Sequence, residues 1–379
     1  MIRTQTFLTT ALLLLPLALY AVYQATQVTQ LYTITLILIG GLLGASLNYF
    51  QYGFSSSFRS LLLEKRTAGM RAIIWLLAIA ILLFAPLLAM QNFNGQSFNG
   101  FIRTLSLAIP LGAFIFGIGM QIGCGCTSGT LNRVGQLQAM SFTTLFFMVI
   151  GGTFAAYTFS DWNTLPSIEP FAFQREFGWL PGLFIQLSLL AGLYFLLQNI
   201  ERKHHQDYHS LSSKENGKRI NHPFLIAAVS LAFLNACLLF ISGMPWSISS
   251  IFPYWGTHLI DLFNLPFDWS FWDYTMENTT RMNQGFFENT VSLTTMGLIL
   301  GAFTASLLKP RTKVAITYKG LIGSLVGGVL MGYGAVMASG CNIGAFFSGI
   351  ASGSLHGWVW LVFALLGNIF GLMIRKRLV

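Results

Sequence analysis

The chain has few charged residues for its length. Only 9% of its 379 residues are Asp, Glu, Lys or Arg, whereas hydrophobic residues make up 54%. An ordinary soluble domain carries ~25% charged residues, so this composition excludes a soluble domain as the main body of the chain. The sequence therefore predicts an all-α polytopic membrane protein.

Acidic residues are the scarcer of the two signs, with 12 against 21 basic residues and a net charge of +9. A positive excess is also found in nucleic-acid-binding proteins. Here, however, the basic residues lie in short loops between apolar runs, as they do on the cytoplasmic side of membrane proteins. The shortage of carboxylates within those runs also argues against a pathway for cations.

Cysteine is rare as well, and the four cysteines do not occupy the paired loop positions of a disulfide framework. The pair Cys124 and Cys126 is spaced like a metal or redox pair. No His or carboxylate stands nearby in the sequence to complete a site of four ligands, so we predict neither a metal nor a cofactor. Cys237 lies in an apolar run and is predicted to be a small core residue.

Apolar runs long enough to span a bilayer recur along the chain. We place ten transmembrane helices, roughly at 7–24, 31–50, 70–90, 103–122, 141–158, 179–199, 222–243, 290–308, 315–338 and 355–374. The first run is predicted to be a retained helix, because no clear small-x-small cleavage site follows it.

The basic residues give the orientation. If the terminal Arg375–Arg377 cluster is cytoplasmic, then the basic linker 201–221 and the loop 309–313 are cytoplasmic too, and so is the N-terminus. Only three of the 21 basic residues then lie outside, namely Arg103, Arg175 and Arg281. This partition strongly favours the assignment.

Four segments are too short or too broken to span, and we interpret them as re-entrant half-helices: roughly 52–63, 124–138, 246–262 and 340–352. Each half of the chain then has the order helix, half-helix, helix, helix, half-helix, helix. The first half begins outside the membrane and the second begins inside. This is an inverted-topology repeat, in which paired broken helices meet near the membrane midplane. The predicted organisation is an N-terminal helix (1–30), a first repeat (31–160), a connecting helix with a cytoplasmic basic linker (161–221) and a second, inverted repeat (222–379).

The repeat is visible in individual residues at a constant offset of 215 positions (332 − 117). Gly117, Gly119, Gly125, Cys126 and Gly129 correspond to Gly332, Gly334, Gly340, Cys341 and Gly344. Glycine destabilises a helix by about 1 kcal/mol relative to alanine, so each glycine-rich stretch should break its helix. Close helix packing would also explain the first two glycines of each stretch. It does not explain a recurring cysteine at the break.

The two breaks are predicted to form an anion site. The N-terminus of a half-helix presents unpaired N–H groups and a partial positive charge, and a buried, protonated thiol donates a weak S–H hydrogen bond. Cys126 and Cys341 would pass the anion between them, with Cys124 as an accessory because the repeat places Ser339 opposite it. The predicted transport residues are Cys126, Cys341, Gly125, Gly340, Thr127, Ser128, Asn342 and Cys124.

Three further residues can be interpreted either as functional or as structural. Arg59 and Arg133 lie on half-helices that open to the cytoplasm, where they would either attract an anion or extend to lipid head groups. His356 is read as structural in preference to functional. The sequence leaves these alternatives open.

Three stretches resemble a known family: GCTSG (Gly125–Gly129), SGCNIGAFFSGIASGSLHGW (Ser339–Trp358) and YGFSSSFRSLLLEKRTAGMRA (Tyr52–Ala72). They resemble the YeeE/YedE family of sulfur-compound membrane transporters, the second stretch being nearest to the YedE-like branch. The chain departs from the family pattern at Ser56, where a glycine is usual, and in GTLNR after the first cysteine motif.

This resemblance implies an hourglass-shaped permease of the bacterial inner membrane. Its substrate would be thiosulfate or a related small sulfur anion, and its partner a cytoplasmic sulfur-carrier protein. Two alternatives stay open from the residues: a membrane thiol oxidoreductase that uses the cysteines as a redox pair, and a channel for another oxyanion such as selenite. The first expectation is a transporter and not an enzyme.

Overall fold

The computed structural model describes residues 29–123, 125–215, 218–308 and 316–378. The predicted helix 7–24, Cys124 and the loop 309–313 lie outside the described residues. Within the described part the chain is helical almost throughout. Nine helices among the described residues are long and apolar enough to cross a membrane, and they match nine of the ten predicted runs. The predicted fold class, an all-α polytopic membrane protein, is confirmed.

The described part of the first half contains six helices, two of them short. They are α1 (Thr29–Tyr49), α2 (Phe54–Arg59, continued by a π-helical turn over Ser60–Glu64), α3 (Ala68–Met90), α4 (Ala108–Ile122), α5 (Thr127–Gly135) and α6 (Ala139–Tyr157). The connecting region contributes α7 (Phe159–Asn163), α8 (Phe173–Phe177) and α9 (Trp179–His205).

The second half repeats the alternation of long and short elements. It contains α10 (Pro223–Ser242), α11 (Ile251–Leu262), a 3-10 turn (Trp269–Phe271), α12 (Asp273–Glu277), α13 (Thr279–Met282), α14 (Thr290–Leu307), α15 (Tyr318–Met337), a π-helix (Asn342–Ser348), α16 (Gly349–Ala351) and α17 (Leu355–Leu378). All four predicted short segments are thus short helical elements. Their re-entry into a membrane remains a prediction.

In the part of the chain that the structure describes, the strands form three small antiparallel pairs in the loops. β1 (Asn92–Phe93) pairs with β2 (Gln96–Ser97), β3 (Leu105–Ser106) with β4 (Ser167–Ile168), and β5 (Ser212–Glu215) with β6 (Lys218–Asn221). The second pair moves a predicted boundary. The helix expected from 103 begins instead at Ala108, because Leu105 and Ser106 extend to pair with β4.

The helix α9 continues to His205, into the stretch assigned to the linker. A buried ion pair explains the extension. The Glu201 carboxylate lies 3.0 Å from the Arg71 guanidinium, and neither side chain is exposed. The Thr67 hydroxyl also donates to Glu201, at 2.6 Å. These contacts join the last turns of α9 to the start of α3.

The long helices pack in corresponding pairs. α4 packs against α17 and α6 against α15, while α1 packs against α14 and α3 against α10. α4 and α15, which contain the two glycine-rich stretches, also pack against each other. A Cβ atom at Gly119 would lie only 2.8 Å from the carbonyl oxygen of Gly327. The predicted role of these glycines in close packing is confirmed, and their packing brings the ends of both helices together.

Candidate functional site

Two short helical elements begin immediately after a cysteine. α5 starts at the residue after Cys126, and the π-helix starts at the residue after Cys341. Both cysteines have extended backbones, with φ/ψ of −84°/177° and −101°/−166°. The carbonyl of Cys126 accepts a hydrogen bond from the amide of Thr130 (2.8 Å), and that of Cys341 from the amide of Ala345 (2.9 Å). The two cysteines therefore occupy equivalent positions at the starts of their helices.

The two cysteines are also neighbours in space. α5 and the π-helix are in contact, and the Cys341 thiol lies within interaction range of Cys126 and beside the amides of Ile343 and Gly344. Cys126 Sγ lies 3.4 Å from Ser128 Oγ. Cys126 is 1% exposed and Cys341 0%. Two residues far apart in sequence thus form one buried cluster of thiols and helix N-termini.

The residues that follow the cysteines have unsatisfied polar atoms. Thr127 Oγ1 and both amide atoms of Asn342 are buried, and in the described part of the chain none of them has a hydrogen-bond partner. The Thr127 hydroxyl lies close to the Cys341 thiol, but the pair does not meet hydrogen-bond geometry. A buried polar group without a partner costs ~1–3 kcal/mol. These atoms are available to a polar ligand.

Two cavities approach the cysteines, and their linings share no residue. The Cys126 cavity has a volume of about 330 Å³ and is lined by Ser55, Arg59, Gly125, Cys126 and Arg133 among others. The Ser339 cavity has a volume of about 540 Å³, and its lining includes Arg103, Ser247, Ser249, Arg281 and Ser339. The structure thus provides a separate chamber beside each break in a helix. The first break lies at Gly125 and Cys126, before α5, and the second at Ser339–Cys341, before the π-helix.

The second break is braced by α17. His356 Nε2 donates to the carbonyl oxygen of Ala338 (3.2 Å), and Trp360 Nε1 donates to that of Gly340 (3.0 Å). A Cβ atom on Gly340 would lie 2.5 Å from the backbone nitrogen of Ala345. The chain therefore passes itself too closely at Gly340 for any side chain. His356 holds the break, as its structural reading expects.

The first break contacts an arginine instead. The Gly125 amide donates to the carbonyl of Met120 (3.1 Å), and a Cβ atom on Gly125 would lie 1.7 Å from Nη2 of Arg133. Arg133 Nε donates to the carbonyl of Gly129 (3.3 Å). Arg59 Nε donates to Gln121 Oε1 at 3.1 Å. Both arginines therefore line the Cys126 cavity while making hydrogen bonds to protein.

Sequence reasoning missed the polar network behind the second break. Asn235 of α10 donates to Ser348 Oγ (3.1 Å) and accepts from the backbone amide of Trp246 (2.7 Å). Ser348 Oγ in turn donates to the carbonyl of Trp246 (2.6 Å). This network ties the π-helix to the segment before α11. The signal was present in the sequence as a polar residue within the apolar run of α10.

Of the remaining predicted residues, Ser128 lies in α5 beside Cys126, and Cys237 is buried within α10. Cys124 lies outside the described residues. Among those that are described, no three His, Cys, Asp or Glu side chains are grouped so that they could hold a metal ion.

The family described as sulphur transport matches residues 51–370, a range that contains both cysteine breaks and all four short segments. The chain belongs to this family. Among its relatives, the thiosulfate transporter TsuA of Spirochaeta thermophila is 27% identical over 346 residues, covering 88% of this chain and 96% of that protein. The TsuA protein of Escherichia coli K12 is 25% identical, covering 87% of this chain and 91% of its own length.

A shorter match joins the chain to the probable transporter YedE of Escherichia coli K12, at 28% identity over 38% of this chain and 36% of that protein. The predicted resemblance to the YeeE/YedE family is confirmed. This sulfur-transport protein is a multi-pass membrane transporter of a sulfur compound and not an enzyme.

Proposed function

We propose that this sulfur-transport protein is a permease of the bacterial inner membrane that takes up thiosulfate through the two cysteine breaks. The relatives named thiosulfate transporters extend over nearly the whole chain, which supports the choice of substrate. The observation that carries the mechanism is the meeting of Cys126 and Cys341, each at the start of a short helix, with unsatisfied polar atoms beside them.

In the proposed path the anion passes from the Ser339 cavity to Cys341, then to Cys126, and then into the Cys126 cavity. We call the binding positions at Cys341 and Cys126 the two stations. At each station the thiol donates an S–H hydrogen bond and the helix N-terminus contributes its partial positive charge. Thr127 and Asn342 provide hydroxyl and amide donors at the same two stations. No bond to sulfur forms or breaks in this relay, so it needs no oxidant or reductant.

The described polar groups at the two cysteines are thiols, a hydroxyl and amides, together with partial helix charges. Such a set suits passage better than tight binding. A site that retains an anion strongly also releases it slowly, since affinity differences appear mostly in the dissociation rate. Arg59 and Arg133 stand in the Cys126 cavity, where an anion would arrive after the second thiol. We propose that they receive it there, and that a cytoplasmic sulfur-carrier protein collects the sulfur beyond this cavity.

We also propose the inverted-repeat topology, with both termini in the cytoplasm. Support comes from the corresponding packing of α4 with α17 and α6 with α15. The orientation predicts that a single cysteine at Ser212 is labelled by an impermeant thiol reagent only in opened cells. A cysteine at Asn278 should be labelled in intact cells. Labelling with the reverse pattern would contradict this topology.

The test of the relay is uptake into proteoliposomes that contain the purified protein. Labelled thiosulfate, sulfite, sulfate and selenite are compared, and thiosulfate should be taken up fastest. We expect Cys126→Ala or Cys341→Ala to lower thiosulfate uptake by 5- to 150-fold, because each removes a donor worth ~1–3 kcal/mol. Cys237→Ala, within the core of α10, is the matched control and should change uptake little.

Reductant separates the relay from the redox alternative. A relay of neutral thiols predicts the same uptake with and without reductant, whereas a thiol oxidoreductase predicts a rate that follows the redox state. Equal tolerance of all three alanine substitutions would show that the cysteines are packing residues. Preference for selenite over thiosulfate would keep the pathway and change the substrate.

A further inference from the structure

Two arginines from distant parts of the chain line the same chamber. Arg103 precedes α4 and Arg281 lies in α13, and both line the Ser339 cavity. They are two of the three basic residues predicted to lie on the external side of the membrane. The third, Arg175 in α8, is exposed and lines neither cavity. The scarce external positive charge is therefore concentrated in one chamber.

Among the described residues, neither arginine has an ion-pair partner. In the described ranges, the ion pairs are those of Glu201 with Arg66 and Arg71. Among the described residues that line the cavity, Glu277 supplies the carboxylate, and its Oε1 accepts a hydrogen bond from Asn163 Nδ2 at 2.9 Å. The side chains lining the cavity thus carry two positive charges and one negative charge.

Aromatic residues fix the positions of both guanidinium groups. The Arg103 guanidinium stacks over the Phe101 ring, with Cζ 4.3 Å from the ring centroid, and the buried Tyr274 side chain lies next to Arg281. Burial, together with the positive charge of Arg281, lowers the pKa of Arg103 to about 10. Arg103 therefore remains charged at neutral pH, and the Arg281 guanidinium repels it. A bound anion would relieve this repulsion.

The chamber leads toward the second break. A Cβ atom on Gly344, within the π-helix, would lie 3.3 Å from both the Phe101 ring and Ser247 Oγ. The ring that supports Arg103 therefore also contacts the helix that begins after Cys341. Ser339, at the break itself, lines the same cavity.

We propose that Arg103 and Arg281 form a capture site for a small divalent oxyanion, which holds the anion before it reaches Cys341. The proposal rests on the proposed function for its direction of transport, but the site itself requires only an anionic ligand. Guanidinium groups make paired, charge-assisted hydrogen bonds to oxyanions, which an ammonium group cannot reproduce with the same geometry. Two such groups facing one chamber can each bind an oxygen of the same anion, and the lining, with Glu277 included, keeps a net charge of +1.

The first test is the kinetics of uptake by Arg103→Gln and Arg281→Gln in proteoliposomes. Because the cavity is open to solvent, we expect a KM for thiosulfate about fivefold higher, with the maximal rate changed less than twofold. Arg175→Gln is the matched control and should leave both parameters unchanged. Arg103→Lys should recover part of the loss, because it restores the charge without the paired geometry. An unchanged KM in both glutamine variants would overturn the proposal.

The second test measures the charge of the chamber without transport. Thr280 is exposed, lines the cavity and precedes Arg281, so Thr280→Cys places a reporter thiol there. The ratio of its reaction rates with a sulfonate and a trimethylammonium methanethiosulfonate should fall about fivefold on Arg103→Gln. It should not change on Arg175→Gln. The effect should weaken at high salt.

The two tests separate the capture site from the proposed function. A falling rate ratio, with no uptake of thiosulfate by the unmodified protein, would support the anion site and refute the substrate. Normal thiosulfate uptake with an unchanged rate ratio and KM would refute the site and leave the permease standing.

Discussion

The two breaks share a sequence motif and the same backbone start, yet they are supported differently. At the second break the chain packs against its own backbone, and α17 donates two hydrogen bonds to it from His356 and Trp360. At the first break Gly125 makes a backbone turn and lies against the Arg133 side chain. The helix α5 is held farther along by Asn132, whose Nδ2 donates to the carbonyl of Gly44 at 3.2 Å. By the repeat offset, the first-half counterparts of the two donors are Ser141 and Leu145 (356 − 215 and 360 − 215).

The two breaks therefore share the geometry of the cysteine and its helix but differ in how rigidly that geometry is supported. Both halves place a cysteine before a short helix, so that geometry is common to them. Backbone contact and buried hydrogen bonds resist movement, whereas a long side chain changes rotamer at little cost. We therefore expect the second break to behave as a fixed station and the first to tolerate adjustment.

The largest expected effect comes from adding one methyl group at each break. Gly340→Ala should destabilise the protein by about 3 kcal/mol, because its Cβ would lie 2.5 Å from the nitrogen of Ala345 and backbone must move. Gly125→Ala should cost clearly less, since its Cβ meets only the end of the Arg133 side chain. The measurement is thermal unfolding in detergent, together with thiosulfate uptake.

A second variant controls the milder substitution. If Arg133 alone opposes the methyl group, then Gly125→Ala combined with Arg133→Ala should unfold no earlier than Arg133→Ala by itself. Equal destabilisation by Gly125→Ala and Gly340→Ala would show that both breaks are equally rigid, and would remove the distinction between them.

The next effect concerns the hydrogen bond from α17. Trp360→Phe keeps a ring that can pack against Phe346 but leaves the carbonyl of Gly340 without its donor, which should cost about 1–2 kcal/mol. Trp358→Phe is the matched control in the same helix, because Trp358 Nε1 has no hydrogen-bond partner in the described part of the chain. The difference in unfolding temperature between the two variants measures the brace. Identical temperatures would show that it contributes nothing.

Much of this architecture could be predicted from the sequence. The nine described spanning helices follow from long apolar runs, and the glycine contacts between α4 and α15 follow from small residues in a membrane segment. The breaks could be predicted from glycine and from the recurrence of Cys126 at Cys341. These signals are local, or they repeat at a fixed spacing.

The support of the breaks could not be predicted, because it depends on contacts between distant segments. Nothing near Trp360 in the sequence indicates that its indole reaches Gly340, and the Asn235 network joins three separate elements. The difference in support between the two breaks also cannot be predicted by aligning the two repeats, because the alignment detects only the residues that the halves share. The boundary of α4 was likewise set by pairing with a distant strand.

The smallest expected effect on stability concerns the unsatisfied polar atoms that the two breaks have in common. Thr127→Val and Asn342→Leu replace buried polar groups without partners by apolar groups of similar size. Removing such a group should leave stability unchanged or raise it by about 1 kcal/mol.

If these atoms serve the anion, the same variants should lose thiosulfate uptake, and thiosulfate should no longer raise their unfolding temperature. A ligand that binds only the folded state raises that temperature in the unmodified protein. Asn342→Leu should show the greater loss, because it removes two unsatisfied atoms where Thr127→Val removes one. Gained stability with normal uptake in both variants would mean that the anion passes without touching them.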